Sequence, residues 1–276
     1  MNQGYLIYAS GQTYIQQAIL CAMSILVHNP KAAISLVTDT AITNQYTNLF
    51  DKIIDIPWHS VPTDSRYHHE HRWKLYHATP YDRTIVLDAD TLVLQNLDNW
   101  WKYFENYKLY YPSVVYTYRG QTISDTVYRK TFITNHLPNF YNVLHYFEKN
   151  NTALEFYNWL QLVSNNWELF YGNFAQHNYP KQASMDVSTA IVSKILHNQN
   201  YISTNNENII RITHMKRHIQ GWKEIKSNWI KQIGVYLNDN MELIIGNYRQ
   251  NGIFHYTEQD FVTDQIFNKF HRRIGI

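Results

Sequence analysis

The first part of the chain alternates short apolar segments with an amphipathic helix, and this alternation restricts the fold more than any other feature. The strand-like segment GYLIYAS is followed by apolar residues at i, i+3, i+4, i+7, i+8 and i+11 from Ile15 to Leu26, the pattern of one buried helix face. Asn29 and Pro30 end this helix, and the apolar segment AAISLVTD follows. Strands that alternate with helices predict an α/β fold, with a mostly parallel, Rossmann-like sheet covered by helices on both faces.

Later segments extend this pattern. We expect helices over residues 41–50 and 66–77, a strand in KIIDI, and further helices over 152–163 and 186–197. The segments YKLYYPSVVYTYRG, KTFITN and 139–147 are rich in β-branched and aromatic residues and predict strands. NIIRITHMK predicts a late strand that ends near His214.

The segment RTIVLDADTLVL carries two carboxylates, Asp88 and Asp90, at the end of an apolar strand. Ligands bind at the carboxyl ends of strands in open α/β sheets, and alternate residues of an extended segment face the same way. Two oxygen ligands directed at one point suit Mg²⁺ or Mn²⁺, which can bridge nucleotide phosphates and neutralise a leaving diphosphate. The spacing alone also arises by chance, and the alternative is a solvated strand end with capping aspartates.

The composition excludes several classes of function. The chain has 24 Lys and Arg against 22 Asp and Glu, and the net charge of +2 predicts no attraction to nucleic acid or a membrane surface. No run of 18 apolar residues occurs, so no spanning helix is expected, and MNQGYLIYAS lacks the basic region and cleavage site of a signal peptide. The single cysteine, Cys21, excludes an internal disulfide, favours a reducing compartment and predicts a cytoplasmic protein.

The stretch RWKLYHATPYDRTIVLDADTLVLQNLD resembles the segment around the DxD motif of GT-A glycosyltransferases. It is most similar to the glycogenin-like and bacterial galactosyltransferases of family 8, which share the basic residue on the preceding helix, the apolar strand, DADTLV and the N-[IL]-D helix start. The resemblance is specific over residues 72–98 and looser, but in the same order, over the first 220 residues. It implies a GT-A domain over residues 1–220 and a C-terminal extension, residues 221–276, packed on the same domain.

The resemblance also implies an activity. A metal-dependent glycosyltransferase would move a sugar from a nucleotide-diphosphate sugar, a UDP-sugar above all, to a hydroxyl group of a glycan, lipid or protein, with retention of configuration and with Mn²⁺ or Mg²⁺ as cofactor. One alternative is a sugar-1-phosphate nucleotidyltransferase, against which ASGQTYIQQ counts because it has one Gly and no Lys or Arg. The other is a catalytically silent glycan-binding protein of the same fold.

The family's donor-binding positions can be transferred to this sequence. Tyr8, Ala9 and Ser10 end the first strand, where backbone groups at a strand-to-helix turn are suited to a nucleotide. Asp39 ends the second strand, where the family contacts base or ribose, although it would equally suit a helix cap. Ala89 joins Asp88 among the predicted donor-binding residues.

The family places a cation that meets the diphosphate on the helix before the DxD motif. Arg66, Arg72 and Lys74 are candidates: ungapped spacing favours Arg72, and the local pattern "KL" favours Lys74. We predict Lys74, with Arg66 assisting. The alternative for each is a solvated helix face.

The third metal ligand in the family is a histidine that follows a late strand. IIRITHMKRHIQGW fits this pattern in part, and we predict His214 as the ligand and Lys216 as a phosphate contact. His218 and His255, the latter in GIFHYTEQDF, are rivals for the same role.

Two polar residues resemble the family's sugar-binding positions. Asp186, in MDVSTAIVSKIL, matches the acid that touches sugar or acceptor, although Val187 replaces the usual Gln and a helix N-cap is the alternative role. Asn142, in LPNFYNVL, matches the amide that bonds sugar hydroxyls. We predict that Asp186, Asn142 and Lys74 take part in catalysis.

Overall fold

A computed structural model describes residues 2–58, 69–123, 129–203, 209–215, 232–258 and 261–276. The strands in these residues are β1 (Gln3–Ala9), β2 (Ile34–Thr38), β3 (Lys52–Asp55), β4 (Arg83–Asp88), β5 (Thr91–Val93), β6 (Leu109–Tyr110), β7 (Leu144–Glu148), β8 (Ile212–His214), β9 (Val235–Leu237), β10 (Leu243–Ile245), β11 (Tyr248–Arg249) and β12 (Ile253–His255). The α-helices are α1 (Gln12–His28), α2 (Leu75–Ala78), α3 (Asp98–Phe104), α4 (Lys130–Thr134), α5 (Asn151–Asn165), α6 (Trp167–Phe174), α7 (Met185–Ile195), α8 (Gln199–Ile202) and α9 (Asp264–Ile274). Two 3-10 helices span Asn44–Leu49 and His69–Lys74.

Six strands form the central sheet in the order β3-β2-β1-β4-β7-β6. β1 to β4 run parallel, whereas β7 is antiparallel to its neighbours β4 and β6. The prediction of a mostly parallel α/β sheet is therefore confirmed. Tyr8 of β1 pairs with Asp88 of β4, so the carboxyl ends of the two central strands meet at one edge.

The central sheet buries apolar side chains on both faces. Tyr5, Ile7 and Ala9 of β1 belong to the core that contains α1, whereas Leu6 and Tyr8 belong to the core that contains α5 and α7. Successive residues of a strand point to opposite faces, so a strand covered on both sides reads as a continuous apolar run. This arrangement accounts for the apolar segments of the sequence.

A smaller sheet in the order β5-β12-β8 follows the Asp88–Asp90 segment. β12 is antiparallel to β5 and parallel to β8. A third sheet joins β11, β10 and β9, and α9 packs on α1. β12 and α9 come from the predicted C-terminal extension, and the division of the chain at residue 220 stays a prediction.

Some elements differ from the sequence predictions. KTFITN is a helix, α4, rather than a strand, because the helix buries Phe132 beneath the guanidinium of Arg129. Of the strand predicted over residues 107–120, the structure has β6 and single bridges at Tyr116. The helix predicted over 41–50 is a 3-10 helix. In the part of the chain that the structure describes, no helix has the length and hydropathy to cross a membrane.

Candidate active site

The two carboxylates of the Asp-Ala-Asp triplet lie where β4 of the central sheet passes into β5 of the smaller sheet. Asp88 ends β4, and its backbone N–H donates to the carbonyl oxygen of Val143 at 3.0 Å. The Thr91 hydroxyl donates to the Asp88 carbonyl at 2.7 Å and closes the turn. The side chains of Asp88 and Asp90 are 18% and 22% exposed, so each is largely buried but keeps part of its surface accessible, although Oδ1 of Asp88 is buried.

His255 lies beside this pair. One ligand atom from each of Asp88, Asp90 and His255 lies within 4.8 Å of the other two, and Nε2 of His255 is 3.1 Å from Oδ2 of Asp90. The strand register explains the contact, because His255 pairs with Thr91 across β12 and β5. The next backbone N–H, of Tyr256, donates to the Asp90 carbonyl at 3.1 Å.

His214, the predicted third ligand, lies one strand further from the acidic pair. It pairs with His255 between β8 and β12, and the Nδ1 atoms of the two rings are 2.8 Å apart. Among the described residues, the group around Asp88 and Asp90 contains His255 and not His214. The geometry thus favours His255, which the sequence analysis kept as a rival. The other rival, His218, lies outside the described residues.

Arg72 places a positive charge beside the acidic pair. Its Nη2 is 2.6 Å from Oδ1 of Asp88, and its guanidinium lies 5.2 Å from the centre of the Tyr8 ring. Lys74, the predicted cation, donates from Nζ to a main-chain carbonyl at 3.1 Å and lines a different cavity. The geometry favours Arg72 for the role that the sequence analysis gave to Lys74. Arg66 lies outside the described residues.

The pKa values of Asp88 and Asp90 are shifted in opposite directions. Burial raises the pKa of Asp88, the charge of Asp90 raises it further, and Arg72 opposes both. Burial also works to raise the pKa of Asp90, but the interactions with His255, a backbone hydrogen bond and the charge of Arg72 together outweigh it and the pKa is lowered. Burial works against the charged form of Arg72, and Asp88 reverses this and raises the pKa of the guanidinium. A cation between the two carboxylates would favour the ionised form of both.

A small cavity of about 40 Å³ joins the end of β1 to the acidic pair. Its lining consists of Tyr8, Ala9, Ser10, Tyr14, Arg72, Ala89 and Asp90. It therefore brings together the three predicted residues at the end of β1 and the central residue of the Asp-Ala-Asp triplet.

Asp39 connects the ends of β1 and β2. The hydroxyls of Ser10 and Thr40 donate to its carboxylate at 2.6 and 2.7 Å. Burial alone would raise the pKa of Asp39, but these hydrogen bonds and those from backbone N–H groups together outweigh it and the pKa is lowered. Ser10 is thus used to hold Asp39, and α1 begins after Gly11 without a side-chain cap.

Asp186 and Asn142 meet in one hydrogen-bond network. Oδ1 of Asp186 accepts from the backbone N–H of Asn142 at 2.9 Å and from its Nδ2 at 3.1 Å. Oδ1 of Asn142 accepts from the Thr189 hydroxyl at 3.2 Å. The N-cap residue of α7 is Ser184, so Asp186 lies inside the helix and does not cap it.

Arg129 is absent from the site residues predicted above, yet its guanidinium fixes this network. Nη1 of Arg129 is 2.6 Å from Oδ2 of Asp186, and its Nε donates to Asn139 at 2.6 Å. Its remaining nitrogen donates to the carbonyl of Phe140. Arg129 is 1% exposed and stacks on the Tyr141 ring at 4.0 Å. No local pattern marks Arg129, because its partner lies 57 residues further along the chain.

An aromatic contact joins the two halves of the site. The ring of Tyr141, on which the Arg129 guanidinium stacks, lies 5.8 Å from the ring of His214. His214 in turn contacts His255. The Asp186 network and the acidic pair are therefore two ends of one packed group. Lys216, the predicted phosphate contact, lies outside the described residues.

No protein-family model matches the chain, and no curated protein does. Solved structures match over most of its length. The galactosyltransferase LgtC, in complex with donor and acceptor sugar analogs, is 13% identical at a TM-score of 0.56, and the match covers 99% of this chain and 95% of LgtC. The glycosyltransferase GlyE of Streptococcus pneumoniae TIGR4 is 13% identical at a TM-score of 0.52, and the match covers 99% of this chain and 61% of GlyE. Mouse xyloside xylosyltransferase 1 is 12% identical at a TM-score of 0.51, with 92% and 97% covered.

At these identities the similarity establishes the fold. The chain has the α/β fold of these glycosyltransferases, as the DxD segment predicted. None of the three is described as a nucleotidyltransferase, so the reported structures do not support that alternative.

Proposed function

We propose that the chain is a metal-dependent glycosyltransferase that transfers a sugar from a UDP-sugar to a hydroxyl group of a glycan, lipid or protein, with retention of configuration. One observation carries the proposal: Asp88, Asp90 and His255 converge at the carboxyl end of β4, next to a guanidinium. The fold shared with solved glycosyltransferases supports it. Neither a nucleotidyltransferase nor a silent glycan-binding protein is favoured by a specific observation.

The three side chains fit a divalent cation. Two carboxylates and one imidazole make a mixed oxygen and nitrogen ligand set, which suits Mn²⁺ better than Mg²⁺. The other ring nitrogen of His255 is engaged by His214, as is usual for a histidine that ligates a metal. A cation held by Asp88, Asp90 and His255 would offset the negative charge that develops on a departing diphosphate.

The other residues of the site contribute binding and orientation. The guanidinium of Arg72 presents several N–H donors in one plane, which matches phosphate oxygens, and its ion pair with Asp88 keeps it at the acidic pair. The small cavity beside Asp90 would receive the part of the donor nearest the metal, next to Tyr8 and Ser10. Asp186, fixed by Arg129 and Asn142, would orient the donor sugar or the acceptor.

The first experiment measures nucleotide release. Purified protein is incubated with UDP-, GDP- and CMP-sugars, with Mn²⁺ or with a chelator, and the free nucleotide is quantified. We expect Mn²⁺-stimulated hydrolysis of a UDP-sugar, and we expect Asp90→Asn to lower it by more than the roughly 10- to 100-fold that changes around metal ligands cause.

Asp239→Asn is the matched control. The side chain of Asp239 is fully exposed and pairs with Lys269, so this variant removes the same charge outside the site. If Asp90→Asn releases nucleotide at the wild-type rate, or if both variants lose the same fraction of that rate, the acidic pair does not bind the metal ion. Hydrolysis that the chelator leaves unchanged would contradict the metal dependence.

A further inference from the structure

A second and larger cavity lies on the face of the central sheet that α5 covers. Its volume is about 510 Å³, within the range of sites that bind small molecules. The described residues that line it are Trp58, His71, Trp73, Lys74, His77, Asn158, Gln161 and Asn165. Neither Asp88 nor Asp90 lines it, so it is distinct from the candidate active site.

One wall of this cavity is aromatic. The rings of Trp58 and Trp73 stack 5.7 Å apart at an angle of 14°, and the His77 ring meets both edge-on at 5.1 and 6.1 Å. Trp58 is 65% exposed, and its φ of 49° is a strained conformation for a bulky side chain. The fold therefore holds a large indole at the surface instead of burying it.

Three amide side chains also line the cavity. Asn158, Gln161 and Asn165 recur at i, i+3 and i+7 on one face of α5 and point to the same cavity. None of these three side chains forms a hydrogen bond to another residue that the structure describes. Each amide offers two N–H donors and one carbonyl acceptor to a ligand.

The charge around the cavity narrows the class of ligand. No Asp or Glu occurs in the described lining. The one ammonium group, of Lys74, donates to the carbonyl oxygen of Trp58 at 3.1 Å and so fixes the backbone of the aromatic wall. A cationic ligand would find no carboxylate among the described lining residues, whereas an uncharged ligand rich in hydroxyl groups would find donors and acceptors there.

We infer that this cavity is a second carbohydrate-binding site, which takes a neutral oligosaccharide. The exposed ring of Trp58, supported from behind by the buried Trp73, matches the apolar C–H face of a pyranose ring, and the amides of α5 match the hydroxyls at its edge. The volume admits more than one sugar unit. That the bound chain is the acceptor of the transfer reaction rests on the proposed function, whereas its binding here does not.

The position of the cavity suits an acceptor chain. The 3-10 helix His69–Lys74 carries Arg72 to Asp88 and also carries Trp73 and Lys74 to the large cavity. One short element thus borders both sites, so a chain held at the large cavity would lie close to the acidic pair.

The test begins with a printed array of neutral di- to hexasaccharides, probed with the labelled full-length chain. The strongest binder is then titrated by calorimetry into the wild type, Trp58→Ala and the double variant Asn158→Ala/Gln161→Ala. We expect each variant to lose at least about fivefold in affinity, since an aromatic contact or a pair of hydrogen bonds contributes about 1 kcal/mol or more. Tyr201→Ala, which truncates a 78% exposed aromatic residue outside the cavity, should bind as the wild type does.

A parallel titration with Mn²⁺ and UDP separates this inference from the proposed function. Trp58→Ala should bind both as the wild type does, because Trp58 does not contact the acidic pair. If the protein binds the oligosaccharide but binds neither Mn²⁺ nor UDP, the proposed function is contradicted and the second carbohydrate-binding site is supported. An array without any binder, or binding that Asp90→Asn abolishes and Trp58→Ala leaves intact, would overturn the inference.

Discussion

The two neighbouring histidines of the candidate site are joined by one hydrogen bond. Nδ1 of His255 and Nδ1 of His214 are 2.8 Å apart, so one nitrogen donates and the other accepts. If Nε2 of His255 ligates a metal ion, Nδ1 of that ring carries the hydrogen and His214 must accept it. His214 would then act as a positioning residue that sets the tautomer and the ring orientation of His255.

This role predicts the behaviour of variants at His214. His214→Phe keeps a planar ring but removes the acceptor, and we expect the affinity for Mn²⁺, measured by calorimetry, to fall roughly 10- to 100-fold. His214→Asn retains an acceptor and should restore part of the affinity.

His145→Phe is the control for the loss of a buried histidine. His145 is 4% exposed and bonds the Tyr157 hydroxyl at 2.8 Å, on the α5 side of the sheet. Its replacement should lower the melting temperature without changing Mn²⁺ affinity. Equal affinity of the wild type and His214→Phe would show that His214 does not position His255.

The sequence could place the acidic pair but could not choose between the histidines. Asp88 and Asp90 follow an apolar strand, and this local pattern suffices to put them at a sheet edge. His214 and His255 both follow short apolar strands, IIRITH and GIFH, so they are equivalent by local criteria. Only the order β5-β12-β8 distinguishes them, and strand order depends on pairings between distant segments.

At the scale of elements, β12 brings His255 to the acidic pair, and its position depends on Gly252. This glycine has a φ of +72°, and a Cβ added to it would lie 2.2 Å from the carbonyl oxygen of Arg211. The Gly252 carbonyl accepts from the N–H of Leu94, and the next N–H donates to Arg211. The start of β12 is thus fixed between β5 and β8, with no room for a side chain.

Gly252→Ala should therefore displace β12. We expect the free energy of unfolding, from urea denaturation, to fall by more than the roughly 1–3 kcal/mol of a strained φ alone, and Mn²⁺ affinity to fall with it. Gly234→Ala separates the two effects, because Gly234 has a φ of +73° and nothing within 4 Å of the added Cβ. A similar loss of stability in both variants would mean that the close contact between the added Cβ and the Arg211 carbonyl does not destabilise the fold.

Elements near the N-terminus were easier to predict than those between β6 and α7. β1, β2 and β4 are largely apolar runs because nearly every residue in them is buried, and the apolar residues of α1 recur with a clear helical periodicity. KTFITN has strand-forming residues but forms α4, since packing of Phe132 under Arg129 overrides local preference. The site residues in that region, Arg129 above all, depend on tertiary contacts that no short segment contains.

At the scale of the whole molecule, tyrosine fills the core on both faces of the central sheet. The chain has 23 tyrosines, and many are buried. Burial raises the pKa of Tyr81, Tyr146 and Tyr171 to about 12. In the unfolded chain these hydroxyls ionise near pH 10. Both cores therefore oppose ionisation, and the fold should be sensitive to alkali.

The sign of this effect follows from the protons bound in each state. Between pH 10 and 12 the unfolded chain has released the tyrosine protons while the folded chain keeps them, so stability falls as the pH rises. Each such tyrosine contributes a slope of at most about 1.4 kcal/mol per pH unit. Urea denaturation at a series of pH values from 8 to 11.5 should show a loss that begins near pH 9.5 and steepens.

Tyr146→Phe tests the origin of that slope. The Tyr146 hydroxyl is buried without a hydrogen-bond partner among the described residues, whereas its ring stacks on Phe104 at 4.9 Å, a contact that phenylalanine keeps. The variant should equal or exceed the wild type in stability at pH 8 and lose less of it by pH 11.5. Tyr201→Phe, which removes a hydroxyl from an exposed side chain, should follow the wild-type curve. Parallel curves for the wild type and Tyr146→Phe would assign the alkaline loss to groups other than this buried phenol.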